Sequence, residues 1–317
     1  MTGKALREVF GATLADLADQ NLRIVVLDGD VASSTGAEAF DDRHPERFVQ
    51  TGIAEQNLLG MAAGAATVGL VPVVSAFACF AVGRAFDSIR VLIDQPALNV
   101  KIAAGYTGLL TGMTGKTHQI FNDVAMMRTL PNMTVLAPAD EIECRQAIAA
   151  MIEMDGPCYM QVTREASPIL FGDDYRFSLG SAVTLRDGAD VTLMSTGVQT
   201  TRVVEAAELL AARGIRATVL HIPTIKPLDE DAVVDAAHAS GIVVVVEEGS
   251  VLGGLGGAVA ELLSDRSPVP VKRLGIQDVY GESGPNSALL EKFRLDPESL
   301  ASDIQSLLEG RAPSADA

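Results

Sequence analysis

Short runs of β-branched residues recur along the chain, each followed by an amphipathic or Ala-rich helical stretch. Arg23–Leu27 (RIVVL), Val71–Phe77 (VPVVSAF), Val100–Ala104 (VKIAA), Met133–Ala137 (MTVLA) and Cys158–Thr163 (CYMQVT) read as strands. Helical patterns over Ala54–Ala66, Val82–Ile93, Asp123–Thr129 and Glu141–Met154 fall between them. Strands that alternate with helices must lie parallel, because each helix carries the chain back across the sheet. Such a sheet is covered on both faces, so its strands are apolar throughout. The composition agrees: 48% of residues are apolar but only 4% aromatic, so Ala, Val, Leu and Gly fill the core.

The pattern loses its period between about Ser167 and Asp190, where Pro168, Gly172 and Gly180 cluster, and a second α/β unit follows. We expect a parallel-sheet first domain over residues 1–170, a linker over 171–188, a smaller mixed-sheet domain over 189–309, and a disordered tail over 310–317. A formal net charge of -17 argues against nucleic acid as a partner. Cys79, Cys144 and Cys158 form no CxxC pair, which argues against a zinc site or a disulfide framework and fits a reducing cytoplasm. The N-terminal MTGKALREVFGATLADL reads as an amphipathic helix without the apolar stretch of a signal peptide. No apolar run reaches membrane-spanning length. The expected location is therefore the cytoplasm.

Three local features could carry chemistry. Glu55, in Thr51–Asn57 (TGIAEQN), is the one ionisable group opening a helix of small apolar residues. An acid in a helix's first turn suits the macrodipole. It could equally be a half-buried carboxyl whose pKa is raised by desolvation so that it can share a proton. Phe77 and Phe80 follow a strand end three residues apart, a spacing that either fills a core or places two rings around a flat ligand. The Gly/Thr-rich loop from Gly105 leads to Gly115-Lys116-Thr117-His118, and its length implies a shape set by function. His118 is one of four histidines, with structural and functional readings both open. Gly253–Gly257 (GGLGG) lacks dinucleotide-fingerprint spacing and reads as a tight turn.

Taken in order, GIAEQN, SAFACF, GKTHQ, RTLPNMTVLAPAD, VEEGSVLGGLG and GIQDVYGESG resemble the C-terminal section of the transketolase family of thiamine diphosphate enzymes. That family also includes 1-deoxyxylulose-5-phosphate synthase and the β-subunits of 2-oxoacid dehydrogenases. The resemblance implies a pyrimidine-binding domain followed by a transketolase C-terminal domain. It implies that Glu55 bonds N1′ of the cofactor's aminopyrimidine, favouring its imino form, while Phe77 and Phe80 flank the ring and Asp30 lines the pocket. His118 matches the histidine that bonds the donor sugar's hydroxyls. Arg164 matches the arginine that grips a distal anion by its guanidinium fork, and Ser34 matches its serine partner. The substrate side departs from the family pattern: Thr114 stands where an aspartate is usual, Tyr106 where a second histidine is, and Gly83 where a third aromatic is. The substrate could therefore be an unusual ketose, sulfonated sugars included.

Family members hold Mg²⁺ through a GDG sequence and a later Asn. Here the order is Asp28-Gly29-Asp30, and Asn57 already lies within GIAEQN, so no metal ligand is assigned to this chain. The expectation is half of a split enzyme, a B subunit that meets an A subunit carrying Mg²⁺ and the diphosphate, in an α₂β₂ heterotetramer with B–B contacts. The alternatives are a β-subunit of a 2-oxoacid dehydrogenase E1 component, a 1-deoxyxylulose-5-phosphate synthase-like enzyme, or a scaffold that lost its chemistry. Intact Glu55, Phe77, Phe80 and His118 speak against the last.

Overall fold

The computed structural model of the chain describes residues 2–310. Fourteen strands are described: β1 Thr2–Ala5, β2 Ile24–Asp28, β3 Phe48–Gln50, β4 Val71–Phe77, β5 Lys101–Gly105, β6 Thr134–Leu136, β7 Cys158–Val162, β8 Ala166–Pro168, β9 Val183–Arg186, β10 Val191–Ser195, β11 Ala217–His221, β12 Thr224–Lys226, β13 Val243–Ser250 and β14 Val271–Ile276. They form a seven-stranded sheet in the order β12-β6-β7-β5-β4-β2-β3, a five-stranded sheet in the order β14-β13-β10-β11-β9, and the pair β1-β8. The alternating apolar runs of the sequence become the parallel strands of both sheets, as expected. β12 and β9 join antiparallel at one edge each.

In the first sheet β4 and β5 lie at the centre and are buried along almost their whole length. The helix Glu55–Thr67 covers one face, and the helices Leu6–Ala18 and Glu141–Glu153 cover the other. Register decides where function can lie. Phe77 pairs with Gly105, and Gly105 with Val162, so β4, β5 and β7 end level with one another. Side chains just past those ends converge on the carboxyl edge, where open parallel sheets bind ligands.

Three segments differ from the sequence reading. Thr2–Ala5 is a strand against Ala166–Pro168, and the first helix begins only at Leu6. The helix expected over Val82–Ile93 starts only at Phe86 and winds wide over Ile89–Asp94, and a break over residues 82–85 separates it from the short helix Ala78–Ala81. Gly83 sits at that break, where its low helix propensity offers no support to a continuous helix. Val183–Arg186, inside the stretch read as linker, forms the edge strand of the second sheet. Four residues at a sheet edge, three half-buried and Thr184 exposed, are too few to establish a period.

The two sheets are not separate bodies. β12, from the C-terminal half, completes the edge of the first sheet through Thr224 and Lys226 against β6. One apolar cluster runs from Val135 and Tyr159 in the first half to Met194, Leu220 and Ile225 in the second. Leu109, from the loop after β5, is buried in the core of the second half beside Val191, Val246 and Leu289. Residues 311–317, most of the stretch read as a tail, lie outside the described residues. No helix among the described residues is long and apolar enough to cross a membrane.

Candidate active site

Glu55 opens its helix without a side-chain cap and is only 4% exposed. A carboxylate there needs a partner, and it finds one in Arg84, whose Nη1 donates to Oε2 over 2.9 Å. Arg84 itself is 53% exposed on its side chain, and its guanidinium carbon lies 4.9 Å over the Phe80 ring. Nothing in the local sequence marks Arg84, because the pairing spans 29 residues and two elements. Close to both stands Cys79, half-buried, whose thiol is pushed up to about 11 by desolvation and then by the Glu55 charge. It remains a thiol at neutral pH.

From Phe80 a line of rings continues. Phe80 and Phe77 have centroids 6.3 Å apart and 36° between planes. His118 meets Phe80 edge-on at 5.3 Å and Phe77 at 6.0 Å. Tyr106, held at φ 62° just past β5, lies 4.3 Å from Phe77. Beyond it the Arg164 guanidinium sits 5.3 Å over the Tyr106 ring and donates to the Thr111 carbonyl at 3.3 Å. The fold thus brings Glu55, Phe80, Phe77, His118, Tyr106 and Arg164 into one line, interleaved with Arg84. Phe77 and Phe80 do not stand as two parallel walls: bracketing a flat ring takes roughly 7 Å, twice a carbon–carbon contact.

The other expected residues take their hydrogen bonds elsewhere. The Asp30 amide, at φ 67°, donates to the Gln50 side chain. The Ser34 carbonyl accepts from Arg7, and the Thr114 hydroxyl donates to Thr111 within a tight turn. At Gly83 a Cβ would lie 2.5 Å from the Cys79 carbonyl oxygen, so this backbone admits no aromatic there. Asp28 is buried, with Oδ1 accepting from the Val31 amide and the Gln50 side chain, while the Asn57 amide group faces Met61. Among the described residues no group of three or more His, Cys, Asp or Glu is placed to hold a metal ion.

Two carboxylates of β13 that the sequence reading did not single out, Glu247 and Glu248, hold backbone amides. Glu247 accepts from the amides of Leu255 and Gly256, the first turn of the helix Leu255–Arg266. Burial raises its carboxyl to about 7 despite those two donors. The glycines of GGLGG serve this contact: a Cβ at Gly254 would overlap the Glu247 carboxylate. Glu248 accepts from the amides of Leu109 and Leu110 in the loop between Tyr106 and His118.

An acid, aromatic rings and a histidine thus gather at the carboxyl edge of a parallel sheet, where open α/β folds bind ligands. Residues 2–168 match the transketolase pyrimidine-binding domain family, and residues 180–300 the transketolase C-terminal domain family. The chain is 39% identical over 290 residues to the 6-deoxy-6-sulfo-D-fructose transketolase subunit SqwH of Clostridium sp. (strain MSTE9), covering 92% of this chain and 90% of that one. It is 36% identical over 297 residues to an apulose-4-phosphate transketolase subunit of Phocaeicola vulgatus, covering 93% and 95%. A solved split-gene transketolase, an inactive β4 tetramer, superposes with a TM-score of 0.88 at 44% identity, over 97% of this chain and 99% of that one. The chain belongs to the transketolase family, whose members are thiamine diphosphate-dependent transferases.

Proposed function

We propose that this chain is the B subunit of a split transketolase, transferring a two-carbon ketol unit from an anionic ketose to an aldose once an A subunit is bound. The observation that carries the reading is the continuous line from Glu55 to Arg164, an acid at one end and an anion-binding cation at the other, in a chain that spans subunit-sized relatives almost end to end. The residues fit the cofactor's aminopyrimidine: Glu55 is a buried carboxyl that can exchange its bond to Arg84 for one to a ring nitrogen, and Phe77 and Phe80 offer a flat surface beside it. Thiamine diphosphate, when bound, supplies the carbon nucleophile that the amino acids lack.

In this reading Glu55 holds a proton at the pyrimidine nitrogen. Asp30 lines the pocket where the two polypeptides meet. His118, with Nδ1 bonded to the Thr117 hydroxyl at 2.9 Å, presents Nε2 to the sugar hydroxyls, and Tyr106 and Thr114 shape the loop around them. Arg164 and Ser34 bind the distal phosphate or sulfonate, Arg164 steadied by the Tyr106 ring. Mg²⁺ and the diphosphate belong to the A subunit, and the assembly is an α₂β₂ heterotetramer working in the cytoplasm. Support for a docking face comes from Ile53, 71% exposed two residues before Glu55, and from exposed Met61, Val91 and Leu92 on the adjoining turns. Apolar side chains gathered beside a site mark a contact surface. The test is reconstitution: the chain alone gives no ketol transfer, and adding the A subunit with Mg²⁺ and cofactor restores it across a panel of phosphorylated and sulfonated ketoses. Turnover by the chain alone rejects the proposal.

A further inference from the structure

The loop between β5 and residue 119 carries Tyr106 and His118, yet little of it belongs to a helix or strand. Its backbone must therefore be held by something else. At Leu109 and Leu110 both amides donate to a single side chain. Glu248 Oε1, on β13 of the C-terminal half, accepts from the Leu109 amide at 2.8 Å and the Leu110 amide at 3.1 Å. The Leu109 carbonyl accepts from Gln119 Nε2 and the Gly112 amide, and the Leu110 carbonyl from Asn286 Nδ2. The second Glu248 oxygen accepts from Arg202 Nη1 at 3.0 Å, with both side chains largely buried. Gly108, at φ +75°, makes the approach possible, because a Cβ there would stand 2.5 Å from Glu248 Oε1. The Leu109 side chain is itself buried in the second half's core.

We infer that Glu248, backed by Arg202, is a positioning residue: through the Leu109–Leu110 amides it fixes the loop that sets Tyr106 and His118 against the donor sugar. The C-terminal half thereby tunes sugar binding without touching sugar or cofactor. The cofactor-facing groups Glu55, Phe77 and Phe80 sit at a helix start, at the last residue of β4 and on the short helix after it, outside this loop. The inference rests on the reading of His118 and Tyr106 as sugar-binding residues. A catalytic geometry displaced by about 1 Å costs up to roughly a hundredfold.

Two measurements test it. In the isolated chain, E248A should speed amide hydrogen exchange at residues 109–110 at least tenfold, while the helix Glu55–Thr67 exchanges as in wild type. In the enzyme reconstituted with its A subunit, E248A should raise the donor-ketose KM about tenfold with a smaller fall in kcat and unchanged cofactor affinity. E248Q keeps one acceptor oxygen for the two amides but loses the charge facing Arg202, so it should lie between wild type and E248A and serve if E248A does not fold. Exchange and KM both at wild-type values in E248Q and E248A overturn the inference, as does a loss of cofactor affinity equal to the change in KM. Faster exchange with no ketol transfer by the wild-type complex would instead refute the transketolase reading and leave the loop clamp standing.

Discussion

Two of the clusters of polar and aromatic side chains among the described residues are finished to different degrees. Where the two halves meet, Glu143 and His221 are fully buried and bond to each other at 2.8 Å. The remaining bonds also close within the chain: Tyr175 donates to Glu143 Oε1, the Ala139 amide to Oε2, and the Thr200 hydroxyl pairs with His221 Nδ1. Phe171 stacks on Tyr175 at 3.9 Å. A first-half helix, the segment after β8 and β11 are thereby tied at one point. The line from Glu55 to Arg164 is different. Of its rings Phe77, Phe80 and His118 are half-buried while Tyr106 is buried, and Arg84 reaches Glu55 from an exposed position. A network saturated within one polypeptide serves the fold, whereas chemistry lies in groups that still have faces to offer.

The contrast can be broken by substitution. The largest expected effect is at the joint: H221A leaves Glu143 buried with a lost partner and a void, which costs about 3–5 kcal/mol in denaturant-induced unfolding. Next, E55Q should lower turnover of the reconstituted enzyme on the order of a hundredfold or more, while the unfolding midpoint of the isolated chain barely moves. A large loss of stability there would place Glu55 with the joint instead.

Glu247 gives a pH signature between these extremes. Its folded carboxyl titrates at about 7 against an ordinary value of 4.5, so the folded chain holds a proton that the unfolded chain has released. Stability should fall as pH rises through that window, by at most about 3 kcal/mol and less if water enters beside it. E247Q should flatten this slope in Tm measured from pH 4.5 to 7.5, whatever constant offset the altered helix cap adds. An unchanged slope would count against the shift. At Arg84 the ion pair with Glu55 is open on the arginine side but buried on the carboxylate side, so R84M should cost about 1–3 kcal/mol in unfolding, less than H221A.

Much of the site is written in short stretches of sequence. Glu55, Phe77 and Phe80 stand where strands end and helices start, so the hydrophobic period places them at the carboxyl edge of the sheet, while their expected roles rest on the family resemblance. His118 and Arg164 follow from motif order. What local pattern could not show is pairing over distance: Arg84 with Glu55, Glu248 with Leu109 139 residues away, and Glu143 with His221 78 residues away. Each joins elements whose own periodicity is complete without it. The break after Phe80 escaped for another reason, since a mixed apolar and charged stretch with one glycine is compatible with several windings.

The strand Thr224–Lys226 has a consequence for anyone who would dissect the molecule. Along the chain it lies well past the end of the first family match, but in space it seals the rim of the first sheet. A fragment cut after residue 168 would bare the backbone of Thr134–Leu136 and invite the adhesion of one fragment's rim to another's. Excision is better designed around the whole chain, because the seam between its parts runs through a sheet and not through a tether.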